Sequence, residues 1–163
     1  MIGRNSGWPR DRLAPKELHL RFEFERPKKL VHDWWTDLSG TGYVGRALKS
    51  VKPIGNEGGK ILVETRWRIM GMTMTLVEKL ALHSEDYWTW EPHLMGIYIT
   101  DEFRLAEGAE GKTRLTIDST IATRGMRGKV MFFLLGRKLD TMMVAEWESA
   151  SRAFVEETAA GQN

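Results

Sequence analysis

Two carboxylates interrupt series of apolar residues that occupy every second position of the chain. Glu78 follows Met74 and Leu76 in one series, and Asp101 precedes Phe103 in another. A carboxylate on the inner face of a strand can bind a polar group of a ligand, or act as an acid or base with a raised pKa. Alternatively, a β-bulge or strand end turns each carboxylate to water, or a nearby Arg pairs with it. Because a buried carboxylate without a partner or a proton is costly, an interior role requires one or the other.

Six tryptophans occupy positions that the local pattern predicts to face the core. Each can simply fill volume, or it can line a cavity for a flat hydrophobic ligand and offer its indole N–H as a donor. Both interpretations stay open from the sequence. The six are Trp34, Trp35, Trp67, Trp88, Trp90 and Trp147.

The residue types that form most other chemical sites are absent or badly placed. The chain has no cysteine, and none of its four histidines lies at metal-ligand spacing from another. No serine lies in a Gly-flanked elbow of the kind that holds a nucleophile. The net charge of +2 is too small to indicate a nucleic-acid partner. We therefore predict no catalytic residue, no metal, no cofactor and no nucleic-acid partner.

Length and composition predict one globular domain, because 163 residues with 42% hydrophobic content can bury a sizeable core. Residues 1–16 are predicted to be a leader with little structure of its own, and residues 17–160 to form the domain. The leader is broken by Gly, Pro and charge and does not match a signal peptide. Since the lack of cysteine also fits a reducing compartment, we expect a cytoplasmic protein.

The hydrophobic period predicts the order of the elements. Residues 17–26 alternate as a strand does, Pro27 suits the first turn of a helix that stops before Gly40, and a short helix or turn is expected over 43–48. The helical period returns from about Arg127 to the end of the chain. In between, turn residues separate six predicted strands at 48–55, 60–70, 72–82, 86–93, 96–106 and 113–123.

Consecutive strands with short connections predict an antiparallel sheet, and one face of that sheet must be covered. The C-terminal helix, about 45 Å long if it has about 30 residues, is the only predicted element that can cover it. The predicted fold class is therefore α+β, a curved antiparallel sheet of about seven strands wrapped around a long C-terminal helix, with one or two short helices after the first strand.

A gap between the sheet and the helix would be a pocket lined by inward side chains. Alternation assigns the inward residues, except that a one-residue shift in strand 86–93 would reverse its face. We place the two tryptophans of that strand inward because of their larger area. The predicted ligand-binding residues are Trp67, Met74, Leu76, Glu78, Trp88, Trp90, Asp101, Phe103, Ile117, Phe133 and Met143.

Residues 128–140, GKVMFFLLGRKLD, contain six consecutive apolar side chains from 130 to 135. The run is too short to cross a bilayer, which takes about 20 apolar residues. Phe132 lies on the stripe expected to face the sheet, whereas Phe133 and Leu134 do not. Residues 130–135 could contact the pocket entrance, the first helices, a homodimer partner or, transiently, a membrane. We predict that residues 126–136 form a mobile gate with Gly136 as its pivot.

The order of elements resembles the helix-grip fold of the START-related superfamily. FEFERPKKLVHDWWTDLSG is similar to the opening strand and helix of its polyketide cyclase/dehydrase and lipid-transport group, and YWTWEP, GIYITDEFRLAE and KTRLTID resemble later strands. The superfamily includes birch-pollen-allergen-like and coenzyme Q-binding proteins. The likeness covers roughly residues 17–158 and implies the fold. No catalytic residue is carried over, because no family catalytic motif matches this sequence.

The resemblance and the inward residues together lead us to expect binding or transport of a small hydrophobic ligand, such as a lipid, an isoprenoid or a polyketide-like molecule. One alternative is a cyclase or dehydratase acting on an aromatic or polyketide-like substrate, with Glu78 or Asp101 as acid or base. Another is an interaction module resembling activators of chaperone ATPases. A pocket with two inward ionisable groups within reach of one ligand atom would favour the enzyme. A narrow, filled interior with an exposed patch of Phe133 and Leu134 would favour the interaction module.

Overall fold

The structure is a computed structural model that describes residues 15–39, 47–69 and 71–160, without the side chain of Arg137. Most of the predicted leader, and most of the short helix or turn expected over 43–48, lie outside the described residues. The last residue of that second segment, Leu48, begins a strand instead.

The described elements follow the predicted order of strand, helix, strands and long helix. They are β1 Lys16–Phe24, α1 Lys28–Thr36, β2 Leu48–Glu57, β3 Lys60–Ile69, β4 Met72–Ser84, β5 Tyr87–Glu91, β6 His93–Leu94, β7 Ile97–Glu107, β8 Thr113–Thr123 and α2 Gly125–Ala160.

All the strands belong to one antiparallel sheet. The order across the sheet is β1-β8-β7-β5-β4-β3-β2, and the short β6 pairs with β7 at one side of this path. Among the described strands, those from β2 to β8 follow one another in the sheet as hairpins or short meanders. Strand β1 lies at the far edge, where it pairs with β8. The predicted fold class is confirmed, because this curved sheet surrounds the long C-terminal helix.

Two predicted strand boundaries were wrong for local reasons. The strand expected over 86–93 is broken at Pro92, which has no backbone N–H to donate, so β5 ends at Glu91 and the chain re-pairs as β6. The carbonyl oxygen of Pro92 still accepts a hydrogen bond from the backbone N–H of Ile99 at 3.0 Å. The first strand ends at Phe24, two residues earlier than predicted.

The core lies between the sheet and α2. Phe154 of α2 is fully buried and meets Phe24 of β1 edge to face, with ring centroids 4.8 Å apart. Farther along the helix, Trp147 meets Phe103 of β7 at 5.2 Å, and Phe103 stacks on Trp88 of β5 at 5.2 Å. These aromatic contacts hold the long helix against several strands of the sheet. A space between the helix and the sheet remains beside them.

The first turns of α2 bury only part of their apolar surface. Phe132 is half-buried against the core, but Phe133 is 74% exposed and Leu134 is 64% exposed. The helix is one continuous element of 36 residues, so Gly136 lies within it and no break marks the predicted pivot. Among the described residues, no helix combines the length and the apolar character that crossing a membrane requires.

A glycine pair holds the start of α2 against the sheet. A Cβ atom added at Gly96, in the turn before β7, would lie 2.9 Å from the Cα of Gly128, and one added at Gly128 would collide with the Gly96 carbonyl group. Gly96 also has a φ of +87°, a conformation that favours glycine. Gly136 is different, because a Cβ there would meet only the Phe132 ring at 3.5 Å, which is ordinary contact.

These two glycines of α2 give a matched test of the packing. Gly128→Ala is expected to destabilise the protein by about 1–3 kcal/mol, because backbone must move to admit the methyl group. Gly136→Ala is expected to be neutral or to stabilise by up to about 1 kcal/mol, because Ala has the higher helix propensity. Urea unfolding measures both free energies. Two variants of equal stability would contradict the close approach at Gly96.

Candidate functional site

A small cavity lies between the sheet and the middle of α2, with a volume of about 60 Å³. Strands β3, β4, β5 and β7 form one wall and the helix forms the other. Most of the wall is apolar, and its polar groups are three carboxyls and three indole rings. The lining residues are Leu48, Trp67, Ile69, Leu76, Glu78, Trp90, Pro92, Leu94, Ile99, Asp101, Leu139, Met142, Met143, Glu146, Trp147 and Ala150.

Glu78 reaches this cavity from β4 and is completely buried. One of its oxygens accepts hydrogen bonds from the Thr65 hydroxyl at 2.6 Å and from the Trp67 indole N–H at 2.8 Å. Its other oxygen accepts a hydrogen bond from the Trp90 indole N–H. Burial raises the pKa of Glu78, and the three donors oppose that rise because they favour the ionised form.

Asp101 reaches the same cavity from β7 and is 2% exposed. One of its oxygens accepts a hydrogen bond from the Ser119 hydroxyl of β8 at 2.5 Å. Burial raises the pKa of Asp101 to about 7; the Ser119 hydrogen bond lowers it and the negative charge of Glu78 raises it further. Asp101 therefore exchanges its proton near neutral pH, where an ordinary aspartate is fully ionised.

Strand register brings the two carboxyls together. Trp90 of β5 lies between the strands that carry them, because it pairs with Leu80 of β4 on one side and with Asp101 of β7 on the other. Glu78 is two residues before Leu80 and so shares its face. The indole of Trp90 thus spans the space between the carboxyls and donates to one of them. For this reason Glu78 and Asp101, which are more than 20 residues apart in sequence, form one site.

Neither carboxyl has the partners that the alternative interpretations required. Both lie inside long strands and are buried, so neither is turned to water at a strand end. Their hydrogen-bond partners are hydroxyl and indole groups. The residues that line the cavity within the described part of the chain include no Arg, Lys or His. Among the described residues, the site is therefore a pair of buried carboxyls with no cation in the cavity lining.

Glu146 of α2 is a third buried carboxylate that the sequence analysis missed. Its two oxygens accept hydrogen bonds from the backbone N–H groups of Ala47 at 2.9 Å and Leu48 at 3.1 Å. The side chain therefore ties the start of β2 to the helix, with one hydrogen bond on each of its oxygens. A sequence signal existed, since Glu146 interrupts the apolar stripe of the helix between Met143 and Ala150.

The cavity includes some predicted ligand-binding residues and excludes others. Besides the two carboxyls, it is lined by Trp67, Leu76, Trp90 and Met143, which alternation assigned to the inner face. The indole N–H of Trp147, another lining residue, is buried and has no hydrogen-bond partner in the described part of the chain. That donor is a further polar group at the site.

The other five predicted residues do not line the cavity. Trp88, Phe103 and Ile117 are buried in the neighbouring core. The rings of Trp88 and Phe103 stack on each other there, so those ring faces are not free for a ligand. Met74 is half-buried on the inner face but outside the cavity wall, and Phe133 points away on the exposed side of α2. No cluster of three or more metal-ligating side chains occurs in residues 15–39, 47–69 and 71–160.

Comparisons with known proteins agree with this architecture. No protein-family model matches the sequence, and no curated protein matches it. Among solved structures, the protein TTHA0849 from Thermus thermophilus superimposes with a TM-score of 0.71 at 16% identity, covering 91% of this chain and 100% of that one.

Two further solved structures superimpose on most of this chain. The Zhui aromatase/cyclase from Streptomyces sp. R1128 matches with a TM-score of 0.68 at 12% identity, over 92% of this chain and 97% of that one. A START superfamily protein from Mycobacterium smegmatis matches with a TM-score of 0.64 at 11% identity, over 87% of this chain and 98% of that one. The protein therefore has the START-like helix-grip fold, as its sequence resemblance implied.

The raised pKa of Asp101 gives an unusual dependence of stability on pH. An acid whose folded pKa lies above its unfolded value holds its proton longer in the folded state, so stability falls as pH rises from about 4 to about 7. The Asp101→Asn variant removes this loss. We expect it to be more stable than the parent protein by a few kcal/mol at about pH 8, and by much less at about pH 5.

Urea unfolding across this pH range measures the effect. The matched control is Asp118→Asn on the outer face of β8, where Asp118 pairs with Arg104 and His19 at the surface. An exposed ion pair contributes little, so this variant should change stability by less than about 1 kcal/mol at any pH. If the free energy of unfolding changed with pH in parallel for the parent protein and for Asp101→Asn, Asp101 would not be a buried titrating group.

Proposed function

We propose that the protein binds a small, largely apolar ligand in the cavity, with a polar group of the ligand held at the Glu78–Asp101 pair. The observation that carries this proposal is the composition of the cavity wall, which combines apolar side chains with a few convergent polar groups. That combination is typical of ligand pockets, because apolar contact supplies affinity and polar contact fixes orientation.

The size of the cavity limits the ligand. A volume of about 60 Å³ is well below the about 300–1,000 Å³ of pockets for drug-sized molecules. A larger ligand requires side chains of the wall to move, and Leu76, Met142 and Met143 are the flexible ones among them. Met142 also borders an open surface groove lined by Arg68, Lys138 and Thr141, and this places it between the cavity and solvent. We propose that ligands enter past Met142.

A second candidate function is acid–base catalysis in the same cavity, of the cyclase or dehydratase type. It is favoured by the pKa of about 7 at Asp101, which suits a group that gives and takes a proton near neutral pH. The oxygens of Glu78 already accept three hydrogen bonds, so Asp101 is the residue that would move the proton. Binding remains the first proposal, because the space beside Asp101 is too small for a multi-ring substrate without movement of the wall.

Changing the cavity volume from the helix side tests the binding proposal. Ala150→Val adds bulk to the wall and should weaken binding of a small fluorescent apolar probe about fivefold or more, whereas Met143→Ala enlarges the cavity and should admit longer probes. Val155→Ala, on the exposed side of the same helix, is the control and should leave binding unchanged. Equal probe affinity in all three variants would mean that the probe binds elsewhere.

A surface for membrane contact is proposed on the first turns of α2. Four exposed apolar residues, here called the α2 patch, project within an arc of about 100° around the helix axis, because the helix has 3.6 residues per turn. The basic residues Arg124, Arg127, Lys129 and Lys138 surround them and are exposed. The sequence from 124 to 139 has five basic residues and no acidic one. The α2 patch consists of Met126, Val130, Phe133 and Leu134.

Apolar residues with a basic border fit the interface of an anionic membrane, where side chains insert between headgroups and cations meet lipid phosphates. The charge pattern favours this occupant over a second copy of the chain, since two identical basic borders would repel each other. A ligand binder with such a surface could take up and release a hydrophobic ligand at a membrane. The contact would be transient, because four partly inserted side chains give limited affinity.

Co-sedimentation with vesicles tests the α2 patch. The double variant Phe133→Ser/Leu134→Ser is expected to lose most binding to vesicles that contain phosphatidylserine, and binding of the parent protein should fall with added salt. Val155→Ser removes an exposed apolar residue at the far end of the same helix and should bind as the parent does. Parent protein that stays in solution, or a monomer–dimer change in the double variant, would favour a protein partner instead.

A further inference from the structure

The charges around the cavity are unbalanced. Glu78 and Asp101 both line it, and the lining residues within the described part of the chain include no cation. A third lining carboxylate, Glu146, is occupied by two backbone N–H groups. Ionised carboxylates buried without a counter-ion are costly, and proteins usually pair them or protonate them. A cationic group of a ligand would balance the ionised form of this pair, which the described lining residues do not.

The hydrogen bonds distinguish the two carboxyls. The partners of Glu78 are two indole N–H groups, which can only donate, and the Thr65 hydroxyl. A proton on Glu78 would therefore displace one of the indole donors, unless Glu78 donated that proton to the Thr65 hydroxyl. Asp101 accepts from a single hydroxyl, that of Ser119, so it keeps more bonding capacity for a ligand. The geometry thus assigns ligand contact to Asp101, with Glu78 held behind it by its three donors.

We propose that the polar group of the ligand is a protonated amine, seated at Asp101 among the indole rings of Trp67, Trp90 and Trp147. This inference rests on the proposed function and names the ligand class for the same cavity. The ammonium group supplies the missing positive charge and hydrogen-bonds to a carboxylate. Three indoles line the same small space, and aromatic faces attract organic cations. The apolar part of the amine occupies the remaining wall.

The proton balance is simple. A neutral amine that enters while Asp101 is protonated takes that proton, which gives an ammonium ion beside an aspartate. A protonated amine that enters while Asp101 is ionised gives the same complex. No charge is gained or lost in the first route, so the ligand can cross the apolar wall without carrying a bare cation.

Binding of the protonated amine depends on pH through Asp101 itself. Two carboxyl groups face Asp101 in the cavity. These are Glu78 from β4 and Glu146 from α2, while the facing side chains of β5 and β8 are Trp90 and Ser119, which do not titrate in this range. Since the complex needs ionised Asp101, affinity for an ammonium ion should fall as pH drops below the pKa of Asp101. A neutral alcohol of the same length should not follow this curve.

Three matched probe series test the inference: straight-chain amines, alcohols and carboxylates from propyl to hexyl. Calorimetric titration of the full chain should show amines binding at least about tenfold tighter than alcohols at about pH 8, and carboxylates not binding. The preference of amine over alcohol should shrink about tenfold between about pH 8 and about pH 6. In Asp101→Asn that preference and its pH dependence should disappear while alcohol binding persists. Asp118→Asn, a change on the outer face of β8 away from the cavity, should retain both.

The outcomes separate this inference from the proposed function. Amines and alcohols of equal affinity, or an amine preference that survives in Asp101→Asn, would overturn the amine assignment while cavity binding stands. Failure of all three series to bind, with the parent protein folded by its thermal transition, would overturn the proposed function itself. If Asp101→Asn fails to fold, the pH dependence in the parent protein and in Asp118→Asn decides the question, and its absence contradicts the inference.

Discussion

Burial of the Glu78 carboxyl organises the site. Its oxygens accept hydrogen bonds from Thr65 and Trp67 of β3 and from Trp90 of β5, so one side chain links three adjacent strands at the place where the helix leaves space beside the sheet. Such a network is stable only when its donors are all in position, and this constrains the indoles that form the cavity wall. Burial raises the pKa of Asp101, and the negative charge of Glu78 raises it further, so the two carboxyls interact electrostatically.

Three parts of the long helix α2 make different contacts. At its C-terminal end, α2 packs through Phe154 and Trp147 against aromatic rings of the sheet, which stabilises the domain. Its middle forms the cavity wall, and Glu146 holds the start of β2 beside that wall. Its first turns are fixed through Gly128 against the β6–β7 turn, with apolar residues left on the outer side. One element therefore connects a core, a candidate binding site and an exposed surface.

The sequence was sufficient for the fold and for the direction of most side chains, because a period of two or 3.6 is a local property. It found Glu78 and Asp101 by the same rule. Alternation gives the face of a strand but not the depth, so Trp88 and Phe103 could not be separated from Trp67 and Trp90, which line the cavity. The role of Glu146 and the glycine contact depend on residues distant in sequence, and a single chain without its tertiary contacts does not reveal them.

The central claim is that Asp101 is a buried carboxyl, coupled to Glu78 and with no cation among the described residues that line its cavity. Carbon-13 NMR titration of the aspartate side-chain carboxyls measures this directly, with Asp101→Asn to assign the resonance. The account predicts a midpoint of about 7 for Asp101 in the ligand-free protein. A midpoint near about 4, the ordinary value for an aspartate, would contradict it, because the carboxyl would then be solvated or paired with a cation.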